Sequence, residues 1–138
     1  MKVVLDTNVL ISALIKSGNP RELFFRLTEK KALIISKNIL EEFLEIAEDP
    51  RITKYVSEQE TNAFLDSLGV AAKVVIVRSK FKAVKEDPDD DIIVRTAFDG
   101  KVDYIVSGDK HLLSLGEFRG IRIINVDEML NLMRKTMS

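Results

Sequence analysis

Residues 3–8 read Val3-Val4-Leu5-Asp6-Thr7-Asn8, and this stretch decides the fold. Three apolar residues with no polar alternation describe a strand buried on both faces, which is the habit of parallel sheets. An aspartate set directly after such a strand leaves the sheet at its carboxyl end, where open α/β folds place their ligand crevice. The same unit recurs along the chain. Ala32–Ile35, Val74–Val77, Tyr104–Val106 and Ile121–Ile124 are further strand candidates, and amphipathic helical segments separate them. Pro20 opens the helix carrying Leu23, Phe24 and Leu27. Ser36 caps a helix that runs to Asp49-Pro50. Ser57 and Glu60 stand in capping-box spacing before a helix that Gly69 terminates. Asp87 caps, and Pro88 opens, a helix ending near Gly100, and Asp127 caps the last helix. Strands alternating with helices imply a parallel sheet covered on both faces, an α/β/α sandwich.

Composition narrows the function. The 138 residues fit one domain spanning 1–138, with 46% hydrophobic and 31% charged residues. The absence of cysteine excludes disulfides, thiolate zinc sites and cysteine nucleophiles, and a single histidine, His111, excludes a zinc site built on imidazoles. No apolar run reaches the ~18 residues of a membrane span, and MKVVLD reads as structure rather than as a signal peptide. A cytoplasmic protein is expected. The formal net charge of −1 does not announce a nucleic-acid partner. Its distribution says more: five of the six residues 86–91 are acidic, and Lys73, Arg78, Lys80, Lys82 and Lys85 precede them. An acidic, metal-binding pocket ringed by cations fits a phosphodiester substrate.

Four acidic positions, Asp6, Glu42, Asp90 and Asp109, each read as falling where a strand ends or a helix begins. Carboxylates gathered in one crevice repel one another unless a cation neutralises them, and hard dications prefer oxygen ligands. The pattern points to Mg²⁺ or Mn²⁺. Asp90 is the sharpest case. On a helix it shares a face with Ile93, Val94 and Ala97, so its carboxylate points towards the core, where an unpaired charge is expensive. Asp91 turns by about 100° towards Arg95 and Phe98 and is the reserve ligand. Glu42 lies just beyond the apolar stripe of its helix, at a boundary position equally at home in solvent. Asp6 and Asp109 also have a plain structural use, as N-caps of the helices that follow them. Asn8 and Ser107 are candidate supporting groups, and His111 reads as a surface residue. Phe81, among basic residues, reads as a partly buried aromatic rather than a stacking platform.

The ordered series VVLDTNVLISAL, SKNILEEF, EDPDDDIIVRTA and YIVSGDKHLL resembles the PIN-domain family across essentially the whole chain. The resemblance implies a five-stranded parallel sheet of order 3-2-1-4-5 sandwiched by helices. It also implies a metal-dependent endoribonuclease that leaves 5′-phosphate and 3′-hydroxyl ends on its RNA substrate. Many small members of the family are toxins of toxin–antitoxin pairs, which implies an antitoxin partner and a homodimer. By motif, Asp6, Glu42, Asp90 and Asp109 form the acidic cluster, with Asn8 and Ser107 as polar supporters. Ser107 stands where the family often has threonine and keeps the hydroxyl.

Two other classes compete. A Mg²⁺-dependent phosphatase of the haloacid dehalogenase type also begins with an apolar strand ending in Asp, but it expects a second aspartate where this chain has Asn8. A non-catalytic RNA- or protein-binding module of the same fold has no need to retain mutually repelling charges.

Overall fold

A computed structural model describes residues 1–84 and 88–137. Val3, Val4 and Leu5 have at most 1% of their surface exposed and form β1 (Val3–Leu5), the centre of the sheet. β1 pairs in parallel with β2 (Leu33–Ser36) on one side and with β4 (Tyr104–Val106) on the other; Val3 lies opposite both Leu33 and Tyr104. β2 then pairs with β3 (Lys73–Val75), and β4 with β6 (Ile121–Ile124), again in parallel. These five strands have the order the family resemblance implies. The difference lies at one edge. β5 (Glu117–Phe118) folds back antiparallel on β6, so the described residues form a six-stranded sheet of order β3-β2-β1-β4-β6-β5. Arg119 and Gly120, both at positive φ, make the tight turn this hairpin needs, and so brief a strand gives no alternation to read from sequence.

The strand connections move first towards β3 and then back towards β6, and right-handed crossovers place their helices on opposite faces. On one face lie α1 (Thr7–Ile15), α2 (Asn19–Glu29), α3 (Lys37–Ala47) and α5 (Glu58–Ala71). Phe24, Phe64 and Phe43 lock α2, α5 and α3 together, with ring centroids 4.2 Å apart for the first pair and 5.4 Å for the second. α8 (Val126–Met137) packs on α2. On the other face α6 (Pro88–Asp99) lies directly against β1, β2 and β4. Its approach is close at Gly100, where a Cβ would stand 2.8 Å from Ile34 Cγ2.

Local signals explain most element boundaries. Ser36 Oγ accepts the Ile39 N–H at 3.2 Å and starts α3. Ser57 and Glu60 complete a reciprocal capping box for α5. Three expectations change. Gly69 does not end α5, which continues to Ala71. A helical glycine costs only about 1 kcal/mol, and burial of Phe64 and Leu68 outweighs it. Pro50 both follows the end of α3 and begins a further short helix, α4 (Pro50–Thr53), with Asp49 as its cap. Asp127 is not the cap of α8; Asn125 is, through exchanged bonds with Glu128 of 2.8 and 3.2 Å, and Asp127 accepts from Asn19 Nδ2 at 2.8 Å. The expected cap Asp87 lies outside the described residues. No helix among those residues is long and apolar enough to cross a membrane.

Candidate active site

The carboxyl ends of β1 and β4 adjoin, and that adjacency builds the first part of the site. Asp6 leaves β1 with 6% of its surface exposed. Its backbone stays in the sheet, donating to Val106 O at 2.9 Å, while its side chain caps α1 by accepting the Asn8 N–H at 3.3 Å. Ser107, fully buried at the end of β4, donates from Oγ to Asp6 Oδ2 at 2.6 Å. The same Oγ accepts the Asp109 N–H at 2.9 Å. Asp109 then caps α7 (Lys110–Leu115) by accepting from His111 N and Leu112 N at 2.8 and 3.3 Å.

Burial raises the Asp6 pKa above the ordinary carboxylate value, because water no longer solvates the anion. The Ser107 and Asn8 hydrogen bonds oppose this rise, and the nearby Asp109 charge adds to it. Thr7, next in the chain, buries a hydroxyl oxygen that has no hydrogen-bond partner among the described residues. Beside this group opens a cleft of about 390 Å³ lined by Asn8, Ser12, Asn19, Ser107, Gly108 and Asn125.

Asp90 is buried in the first turn of α6, on the face it shares with Ile93, Val94 and Ala97, as its helical phase requires. α6 descends from the carboxyl edge of the sheet, since Asp103, shortly after its end, donates to Lys2 O at the start of β1. Asp91 is buried as well, but its carboxylate is engaged elsewhere: Oδ1 accepts the N–H groups of Ala83 and Val84, both at 2.7 Å. Glu42 is half-buried on α3 and lines a different cleft, of about 580 Å³, with Asn38, Glu41, Arg51 and Ile92. α3 and α6 are tied together at a buried point, where Thr96 Oγ1 and Ser36 Oγ share a hydrogen bond of 2.8 Å. Sequence reading missed Thr96, which looks like an ordinary helical threonine until its partner 60 positions away is known.

The structure therefore joins Asp6, Ser107 and Asp109 into one unit and sets Asp90 and Glu42 on the two helices that Thr96 and Ser36 couple. Among the described residues, however, it does not assemble three acidic side chains into a ready metal-binding group. Asp6 and Asp109 have each taken local N–H donors, so the capping role read for both is real. The donor chemistry still fits a hard dication: every candidate ligand is an oxygen, and Asp6 carries its charge at a burial cost that a cation would offset. His111 is exposed, as expected. Phe81 is half-buried and stacks on Phe118 at 4.9 Å, with the Arg119 guanidinium over both rings. Lys73, Arg78, Lys80 and Lys82 are exposed.

A doubly wound α/β sheet with acidic residues at its switch point belongs to the class of open α/β domains that bind ligands at the carboxyl ends of their strands. Within that class the PIN-domain family model matches residues 2–111, and the chain belongs to the PIN-domain family. PIN domains are generally nucleases and typically use divalent metals. An uncharacterized protein of Methanocaldococcus jannaschii is 32% identical over 130 residues, spanning 91% of this chain and 83% of that protein. The fold is similar to a chain in the crystal structure of VapBC2 from Rickettsia felis bound to a DNA fragment from their promoter. The TM-score is 0.62 at 15% identity, covering 91% of this chain and 98% of that one.

Proposed function

We propose that this protein is a metal-dependent endoribonuclease hydrolysing RNA phosphodiester bonds. Asp6, Glu42, Asp90 and Asp109 would hold Mg²⁺ or Mn²⁺, with Asn8 and Ser107 in support. One observation carries the reading: a buried, hydrogen-bonded aspartate at the end of the central strand, joined through one serine to a second aspartate. Held by these carboxylates, a divalent ion would supply positive charge to acidify a water and to offset the charge that builds on the phosphate. The chain's own part is orientation. Ser107 holds Asp6 and the Asp109 backbone in one frame, and the Ser36–Thr96 contact keeps the helices bearing Glu42 and Asp90 in fixed relation. The exposed Lys73, Arg78, Lys80 and Lys82 supply phosphate contacts, so RNA binding should weaken with salt. The family resemblance extends the proposal to a cytoplasmic toxin, with an antitoxin partner and a homodimer.

The deciding experiment compares cleavage of RNA by wild type and Asp6→Asn in Mn²⁺, Mg²⁺ or EDTA. Cleavage by wild type with either metal, abolished by EDTA and by the substitution, is the expected result. Activity independent of metal, or unaffected by Asp6→Asn, rejects the proposal. A non-catalytic PIN-like module is the second reading, favoured by the capping roles of Asp6 and Asp109. Metal binding without turnover would select it.

A further inference from the structure

Three residues on the outer edge of α6, at spacings of four, grip one irregular segment. Asp99 Oδ2 accepts from Arg78 N at 2.7 Å and from Ser79 N and Ser79 Oγ at 3.0 Å each. Arg95 donates from Nε to Phe81 O at 2.7 Å and from a terminal nitrogen to Lys80 O at 3.5 Å. Asp91 Oδ1 takes the Ala83 and Val84 N–H groups. Anion, cation, anion meet N–H, C=O, N–H in turn, so each side chain matches the backbone polarity it faces. Residues at i, i+4 and i+8 lie on one side of a helix, about 6 Å apart along its axis. Residues 78–84 therefore run antiparallel to α6 like a strap, and their last fastening is made by the residue next to Asp90.

We propose that Asp91 is a positioning residue: it fastens the strap to the first turn of α6 and thereby fixes the helical phase that sets the direction of the Asp90 carboxylate. The proposal rests on the metal-site reading above. Two side chains one residue apart point about 100° from each other, so a tie at Asp91 sets the direction of Asp90. Burial of Ile93, Val94 and Ala97 holds the inner side of the same turn, and Asp91 holds the outer side. The reserve ligand is thus assigned a different duty. Its duty needs an acceptor oxygen rather than a negative charge, and that separates it from a ligand.

The test measures Mn²⁺ affinity of the full chain by isothermal titration calorimetry, with amide hydrogen exchange at Ala83 and Val84 in the metal-free protein. Asp91→Ala should weaken Mn²⁺ binding about 10–100-fold, the usual effect of removing a group that orients a ligand. It should also lose protection at both amides. Asp91→Asn keeps the acceptor oxygen and should keep both the affinity and the protection, whereas Asp90→Asn should lose affinity with protection intact. If Asp91→Asn loses Mn²⁺ as fully as Asp90→Asn, Asp91 is a ligand and the proposal is overturned; unchanged affinity in Asp91→Ala overturns it too. Should Asp91→Ala fail to fold, Asp91→Asn alone still separates the two roles. Wild type that takes up no Mn²⁺ removes the metal-site reading as well, an outcome distinct from any failure confined to the Asp91 variants.

Discussion

Ser107 Oγ donates a 2.6 Å hydrogen bond to Asp6 Oδ2 across 101 positions of sequence, in a site where the serine has no exposed surface. The hydroxyl is thus the hinge pin between β1 and the turn that carries Asp109. Ser107→Ala would take one donor from the buried Asp6 carboxylate, which keeps the Asn8 N–H, and would free the Asp109 N–H at once. A charge-assisted bond of this kind contributes about 1.5–3 kcal/mol, so the variant should unfold at lower denaturant by that order. Its RNA cleavage should fall more than its stability alone explains, and Ser107→Thr should recover both. Urea titrations alongside cleavage assays decide the matter; full activity in Ser107→Ala would remove the serine from the site.

The raised pKa of Asp6 predicts a pH dependence whose sign is unusual for a carboxylate. Burial makes the native state hold the Asp6 proton more tightly than the unfolded chain does, where the ordinary value is 3.8. This group's contribution to stability is therefore complete below that value and is lost as pH rises through the folded pKa. Asp6→Asn cannot ionise and escapes the loss. In EDTA it should melt above wild type at neutral pH, and the gap should close as the medium is acidified. Saturating Mn²⁺ should reverse the order, by stabilising wild type alone. Thermal scans over a pH series in both media give the answer; a variant melting below wild type throughout would show that Asp6 is not carried at a burial cost.

What could be read from sequence followed locality. The phase of Asp90 against Ile93, Val94 and Ala97, the apolar run before Asp6 and the Ser57–Glu60 box each need only a few consecutive residues, and each has the expected place. The partners of Asp91 are backbone amides of residues 83 and 84, which no side-chain pattern announces. Asp127 and Asn125 are both good caps, and the choice fell to Asn125 because Glu128 stands three residues on. Gly69 looked like a stop but lies on a helix held by Phe64 and Leu68, whose burial only the tertiary fold reveals.

Thr96 and Ser36 make a buried side-chain link between α6 and the N-cap of α3, at 2.8 Å. Thr96→Val is nearly isosteric and removes only the hydroxyl, leaving Ser36 to cap Ile39. It should destabilise the protein by about 1–2 kcal/mol and couple to Ser36→Ala with an interaction energy of about 0.5–3 kcal/mol. A double-mutant cycle in urea measures that coupling. Strict additivity would mean that the Thr96–Ser36 contact does not help to hold the two helices.

Gly100 tests how finely α6 must sit. A methyl group there would meet Ile34 Cγ2 at 2.8 Å and Thr96 O at 3.0 Å. The isoleucine side chain belongs to β2 and is itself 3% exposed, so it has little room to yield, and the carbonyl is part of the helix. Gly100→Ala should therefore push the end of α6 away from the sheet and destabilise the protein by about 1–3 kcal/mol. Because the strap and the apolar face secure the opposite end, the displacement should leave Asp90 in place and spare Mn²⁺ affinity. Calorimetric melting with Mn²⁺ titration separates the two effects. A stabilised Gly100→Ala would show that Ile34 gives way freely, and a large loss of metal affinity would show that α6 moves as one rigid rod.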